Sequence, residues 1–189
     1  MLLGKQIIKR YYEEHRFYHN FNHVKQMFDE AEIRGIELSE EQYLSILFHD
    51  VVYNPGSKTN EEDSCNVFDK YVFSLKAVSF NSIIVKQIIM DTKTEIPTCE
   101  SSKIIIDLDL CGLAGTPEQY FQNSKFIAWE YTYNNKLSDK EFNSGRIKWL
   151  EEMIEKKQIF YTDYFKPLEN CAKFNLAEEL DIRRKNESI

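Results

Sequence analysis

An all-α fold is what the sequence predicts, as a single-domain helical bundle over residues 1–189. Three observations predict it. Gly (6) and Pro (4) are too few for a turn-rich β protein. Apolar residues recur at helical spacing along most of the chain. Helix-starting residues stand ahead of those stripes.

The elements follow in order. Val24, Met27, Phe28 and Ala31 make an i, i+3, i+4, i+7 stripe, so a helix is predicted over 19–33. Ser39 ahead of Glu40 and Glu41 is an N-cap for a second helix, about 39–50. Tyr43, Leu44, Ile46, Leu47 and Phe48 make that helix apolar almost all round, which suits the middle of a bundle. Asn54-Pro55-Gly56 breaks the chain. A helix starting near Asn60 places Glu61, Glu62 and Asp63 at the positive end of its dipole. Another spans about 80–92, with Pro97 in the loop behind it. The run KIIIDLDLCGLAG fits either a buried strand or a helix, and the helices on both sides favour helix. Thr116-Pro117-Glu118 is a helix start with a Thr cap and Pro at the first position. Polar helices follow at about 117–134 and 138–157, either solvated or forming a partner surface that leaves a homo-oligomer open. A last helix, about 162–184, carries Phe165, Leu168, Ala172, Leu176 and Leu180 on one stripe.

Composition narrows the function classes. The net charge of −7 argues against polymeric nucleic acid and anionic membrane as partners. No run approaches the ~20 apolar residues of a membrane span, and the N-terminus lacks the apolar core of a signal peptide. The four cysteines have no C-x-x-C spacing and read as reduced thiols, which places the chain in the cytoplasm.

Chemistry gathers around the four histidines, His15, His19, His23 and His49, with none in the 140 residues that follow. Residues four apart share a helix face, so His19 and His23 are expected to point into one space, with His15 a turn earlier if the helix extends back. His49 and Asp50 are adjacent and converge on one ion only at a helix end, which Asn54-Pro55 places nearby. Asp107 and Asp109 interrupt an apolar run, and their spacing turns only one of them toward the histidines. Buried carboxylates call for a metal, an arginine or several N–H donors. Imidazole with carboxylate is the usual ligand set for borderline divalent ions such as Zn, Mn, Fe, Co and Ni, and the carboxylates leave Mg open as well.

The order His23, His49-Asp50 and a late aspartate resembles the H…HD…D signature of the HD superfamily of metal-dependent phosphohydrolases. The likeness is closest to the small HD phosphohydrolases of bacteria and phages. It runs from about residue 11 to 180 through HRFYHNFNHV, FHDVVYNPGSKTNEEDS, DLDLCGLAG, EYTY and IFYTDYFKPLENCAKFNLAEEL. The resemblance implies a helical bundle of the HD type. It implies a cation held by His23, His49, Asp50 and a late aspartate, with Asp109 preferred because a leucine follows it and Asp107 the close alternative. Glu61 would orient or deprotonate the attacking water, with Asp50 in the reacting centre. Arg16, His19 and Lys58 would contact phosphate, and Tyr53 or Tyr18 would stack on a base unless it serves the core. The substrate would be a nucleotide or another small phosphoester. Relatives carry two histidines where this chain has Asp91-Thr92-Lys93-Thr94-Glu95. Glu95 is the oxygen ligand available there, and without it one ion rather than two is expected. The same departure motivates a second reading, a weakened module that binds a nucleotide or metal without turnover. Oxygen chemistry at a di-iron site ranks last, for want of ligands.

Overall fold

The computed structural model describes residues 2–75 and 78–187. Its regular structure is helical, with no strand among the described residues. The helices are α1 (Leu2–Arg10), α2 (Phe21–Ile33), α3 (Glu40–Phe48), α4 (Asn60–Phe73), α5 (Ser82–Thr94), α6 (Glu100–Leu110), α7 (Pro117–Thr132), α8 (Asp139–Glu155) and α9 (Glu169–Glu187). Short 3-10 turns cover Cys111–Ala114, Tyr133–Asn135 and Lys166–Leu168. No helix among the described residues is long and apolar enough to cross a membrane. The backbone clusters into two compact units, 1–109 and 110–189, with the boundary at the end of α6.

In the first unit α3 packs against α2, α4 and α5. Ile46 and Phe48 of α3 are buried with Val24, Met27, Phe68 and Ile88. The capping signals act as the sequence suggests. Ser39 closes a capping box with Gln42, satisfying two of the N–H groups a helix start leaves open. The apolar surround of α3 is incomplete, because Tyr43 faces outward against Phe28 with ring centroids 4.7 Å apart. The ambiguous KIIIDLDL run is helical, as α6.

Most helix ends fall within two or three residues of expectation, and two of the starts that differ have a local cause. Helix α2 starts at Phe21 rather than 19, because the Asn20 side chain accepts the Asn22 N–H and ends the non-helical backbone there. Helix α9 starts at Glu169 rather than 162. Pro167 cannot sit in a helix interior, and the Glu169 carboxylate turns back to accept the Ile159 and Phe160 N–H groups.

The second unit is organised around a buried carboxylate. Glu179 of α9 accepts from Arg146 Nε at 3.1 Å and Nη2 at 2.9 Å on α8, and from Tyr120 and Ser124 on α7. Arg183, one turn on, adds a bond at 2.7 Å. Burial opposes charge on Glu179, but the Arg146 guanidinium and the hydroxyls outweigh it and hold its pKa down at about 2. A carboxyl depressed from 4.5 stabilises the fold fully above that value and loses its contribution as pH falls toward 2. The thermal midpoint of the wild type should therefore drop between those limits more steeply than that of Glu179→Gln. Parallel pH profiles for the two proteins would contradict this assignment.

Candidate metal centre

The segment after α3 is built from the FHDVVYNPGSKTNEEDS motif, and side chains rather than regular structure hold it. The N–H and C=O of Val52 both meet Ser64 Oγ, at 3.1 and 3.3 Å. The N–H and C=O of Asn54 meet the Asn60 amide, at 2.9 and 3.2 Å. Gly56, at φ +80°, makes the intervening turn in a region that favours glycine. The motif thus ties the backbone just beyond His49-Asp50 to the first two turns of α4, where Glu61 stands.

His49 is the C-cap residue of α3 and is buried, only 2% exposed. Its Nδ1 lies 3.0 Å from the Ile46 carbonyl. A ring nitrogen facing a carbonyl carries the proton, so in the neutral ring Nε2 presents its lone pair. That Nε2 is 3.1 Å from Asp50 Oδ2 and 3.6 Å from Asp109 Oδ1, yet neither contact has hydrogen-bond geometry. His23, buried in the first turn of α2, places Nε2 2.9 Å from the same Asp109 oxygen.

One donor atom from each of His23, His49 and Asp109 lies within 4.8 Å of the other two. Two ligands that each sit 2.0–2.2 Å from one ion are about 3–3.5 Å apart. Asp109 Oδ1, 2.9 Å from His23 Nε2 and 3.6 Å from His49 Nε2, is close to that spacing from both rings. A buried Nε2 with no directed partner, facing two carboxylates, fits a divalent cation.

The electrostatics agree. Burial works against an imidazolium at His49, but Asp50 and then Asp109 overcome it and push its pKa up to about 9. Burial likewise works against charge on Asp50, and His49, then His19 and His23, hold its carboxyl far below the usual range. The pocket demands positive charge at His49 Nε2. A proton supplies it when no metal does, and a metal entering there displaces protons.

The other expected residues fall in different places. Asp107 is fully buried and outside the cluster. Two residues along a helix turn a side chain by about 200°, so only Asp109 of the pair reaches the histidines. Asp50 touches His49 without joining the three-way group. His19 precedes α2 rather than sharing its face with His23, although the two rings still come within 5.9 Å. It stacks on Tyr53 at 4.1 Å. Tyr53 is buried under it, so that ring supports His19 instead of offering a face to a base. Arg16, expected at phosphate, is buried with its guanidinium turned onto the carbonyls of His19, Asp50 and Val51. Lys58 is exposed in the loop before α4. Glu95 caps α5 in a left-handed conformation and does not enter the cluster. His15 binds the Tyr53 carbonyl through Nε2 at 2.8 Å, a structural role.

Glu61, in the first turn of α4, has a raised pKa, from burial first and also from the charge of Asp50. Lys93 opposes that rise with its ammonium 3.9 Å from Glu61 Oε2, while also binding Glu62 and the Lys58 carbonyl. Lys93 carries no motif signal of its own, because its partners Lys58, Glu61 and Glu62 lie more than 30 positions away. It lies in the Asp91–Glu95 segment, about three turns from the start of α5.

Family models, curated proteins and solved structures offer no significant match to this chain.

Proposed function

We propose that the protein is a divalent-metal-dependent phosphohydrolase of the HD type, acting on a nucleotide or another small phosphoester. The observation that carries this reading is the convergence of His23, His49 and Asp109 around a buried, undirected His49 Nε2. Those three residues would hold the ion, with Asp50 beside His49 as a further oxygen donor. When bound, the cation polarises a phosphoryl oxygen and lowers the pKa of a coordinated water.

The chain's own groups supply the rest. Glu61, half-buried and close enough to Asp50 to feel its charge, orients the attacking water and takes its proton. Lys93 keeps that carboxylate in place. His19 and Lys58 offset charge on the non-bridging oxygens as the bond to phosphorus breaks. Tyr53 fixes His19 by stacking.

The test is turnover of a nucleotide and phosphoester panel by protein loaded with Mn, Co, Mg or Zn. Glu61→Gln should bind the metal as the wild type does while losing about 100-fold or more in kcat, the scale of general-base catalysis. Folded, metal-loaded protein that turns over no member of the panel would sink the hydrolase reading. Tight binding of a nucleotide left intact would instead favour the non-catalytic module, to which the absence of residues 91–95 from the cluster also points.

A further inference from the structure

The last turn of a helix leaves carbonyls without helical partners, and a buried one needs a donor from elsewhere. Helix α3 ends at Phe48, inside the motif that supplies His49 and Asp50. One carbonyl of its last turn and two of the segment just after it are met from the irregular segment between α1 and α2. Tyr11 donates its hydroxyl to the Leu47 carbonyl at 3.0 Å. Arg16 Nη1 donates to the Asp50 carbonyl at 2.7 Å, and Nη2 to the Val51 carbonyl at 3.3 Å.

Arg16 also reaches the other side of the centre. Its Nη1 donates to the His19 carbonyl at 3.0 Å, four residues ahead of His23. Nε pairs with Glu13 at 3.0 Å, which balances the buried charge. The guanidinium lies over the Tyr11 and Tyr53 rings, at 5.2 and 5.6 Å from their centroids. One rigid, planar group therefore joins the backbone that precedes His23 to the backbone that carries His49 and Asp50. A lysine ammonium in its place is a single point on a flexible stem and cannot span the same set of acceptors.

We infer that Arg16 is a positioning residue for the metal centre, fixing the His49-Asp50 backbone against the segment that leads into His23. The inference rests on the metal reading above. It gives the arginine of HRFYHN a task away from the substrate: setting the distance between ligands on α2 and at the end of α3. Residues that orient metal ligands typically change affinity by about 10–100-fold when lost.

The experiment compares wild type, Arg16→Met and Arg16→Lys in cobalt(II) titrations, reading the dissociation constant and the visible d–d spectrum. Glu179→Gln serves as a destabilised control whose hydrogen-bond partners are all in the second unit. Both Arg16 variants should bind cobalt about 10–100-fold more weakly, with an altered d–d band, well below their unfolding temperatures. The control should lose stability and keep the wild-type affinity and spectrum. If Arg16→Met does not fold, Arg16→Lys alone decides, since it keeps the charge and most of the packing. Variants that match wild type in affinity and spectrum overturn the assignment and leave the metal reading intact. A control that shifts as they do also overturns it, because general destabilisation would then explain the effect. A wild type that takes up no cobalt overturns the metal reading, and the role of Arg16 with it.

Discussion

His49→Ala should abolish specific uptake of a divalent cation, and Asp109→Asn should nearly do so. Both residues place a donor atom in the three-way cluster with His23. Loss of a group that merely orients a ligand costs about 10–100-fold in affinity, so loss of a ligand should exceed that range. Asp107→Asn makes the informative comparison. It is the same chemical change two residues away, on a carboxylate that lies outside the cluster. It should leave the affinity within a few-fold of wild type, whatever it does to stability. Isothermal titration with Mn or Co on the three variants checks this. Equal loss in Asp107→Asn and Asp109→Asn would mean that the late aspartate has been assigned wrongly. On the proposed hydrolase reading, activity should follow affinity, because Glu61 would have no activated water to deprotonate without the ion.

The second large effect falls on stability. Glu179→Ala should cost about 3–5 kcal/mol, the range for removing one partner of a buried ion pair. The cost arises less from the lost attraction than from what is left behind. Arg146 stays buried with its counter-charge gone, and the Tyr120 and Ser124 hydroxyls lose their acceptor. Glu179→Gln should cost less, since an amide oxygen still accepts from one or two of these donors. Chemical denaturation of both variants measures the difference. A loss below 1 kcal/mol for the alanine variant, a surface-pair value, would show that Glu179 does not carry the second unit.

Much of the local structure was legible in the sequence. Ser39 and Thr116 both close capping boxes at their helices, with Gln42 and Gln119, because capping needs only residues three apart. His23 and His49 stand out because imidazole is rare enough to be noticed singly, whereas only the family resemblance, through the leucine that follows, separates Asp109 from Asp107. Arg16 was misread for the opposite reason. The two acceptors that tie it to the His49-Asp50 segment lie about 35 positions away, and nothing local distinguishes an arginine aimed at backbone carbonyls from one aimed at phosphate. The Glu179 network was missed for the same cause, since its partners come from three helices and only Arg183 shares a helix with it. His19 shows a third kind of difference. Its four-residue spacing from His23 suggested a shared helical face, but Asn20 starts the helix after it, and stacking on Tyr53 brings it close by another route.

Asp91 bears on how the late aspartate is chosen. This buried carboxylate near the end of α5 accepts from the Thr98 N–H and hydroxyl and from Ser102 in the first turn of α6. Ser102 and Asp109 are seven residues apart, which on a helix is two turns, about 10 Å, and nearly the same azimuth. The grip of Asp91 on Ser102 therefore sets the angle about the helix axis at which α6 leaves its loop, and with it the bearing of Asp109. Inserting one residue between them would rotate everything beyond by about 100° and carry Asp109 away from the histidines.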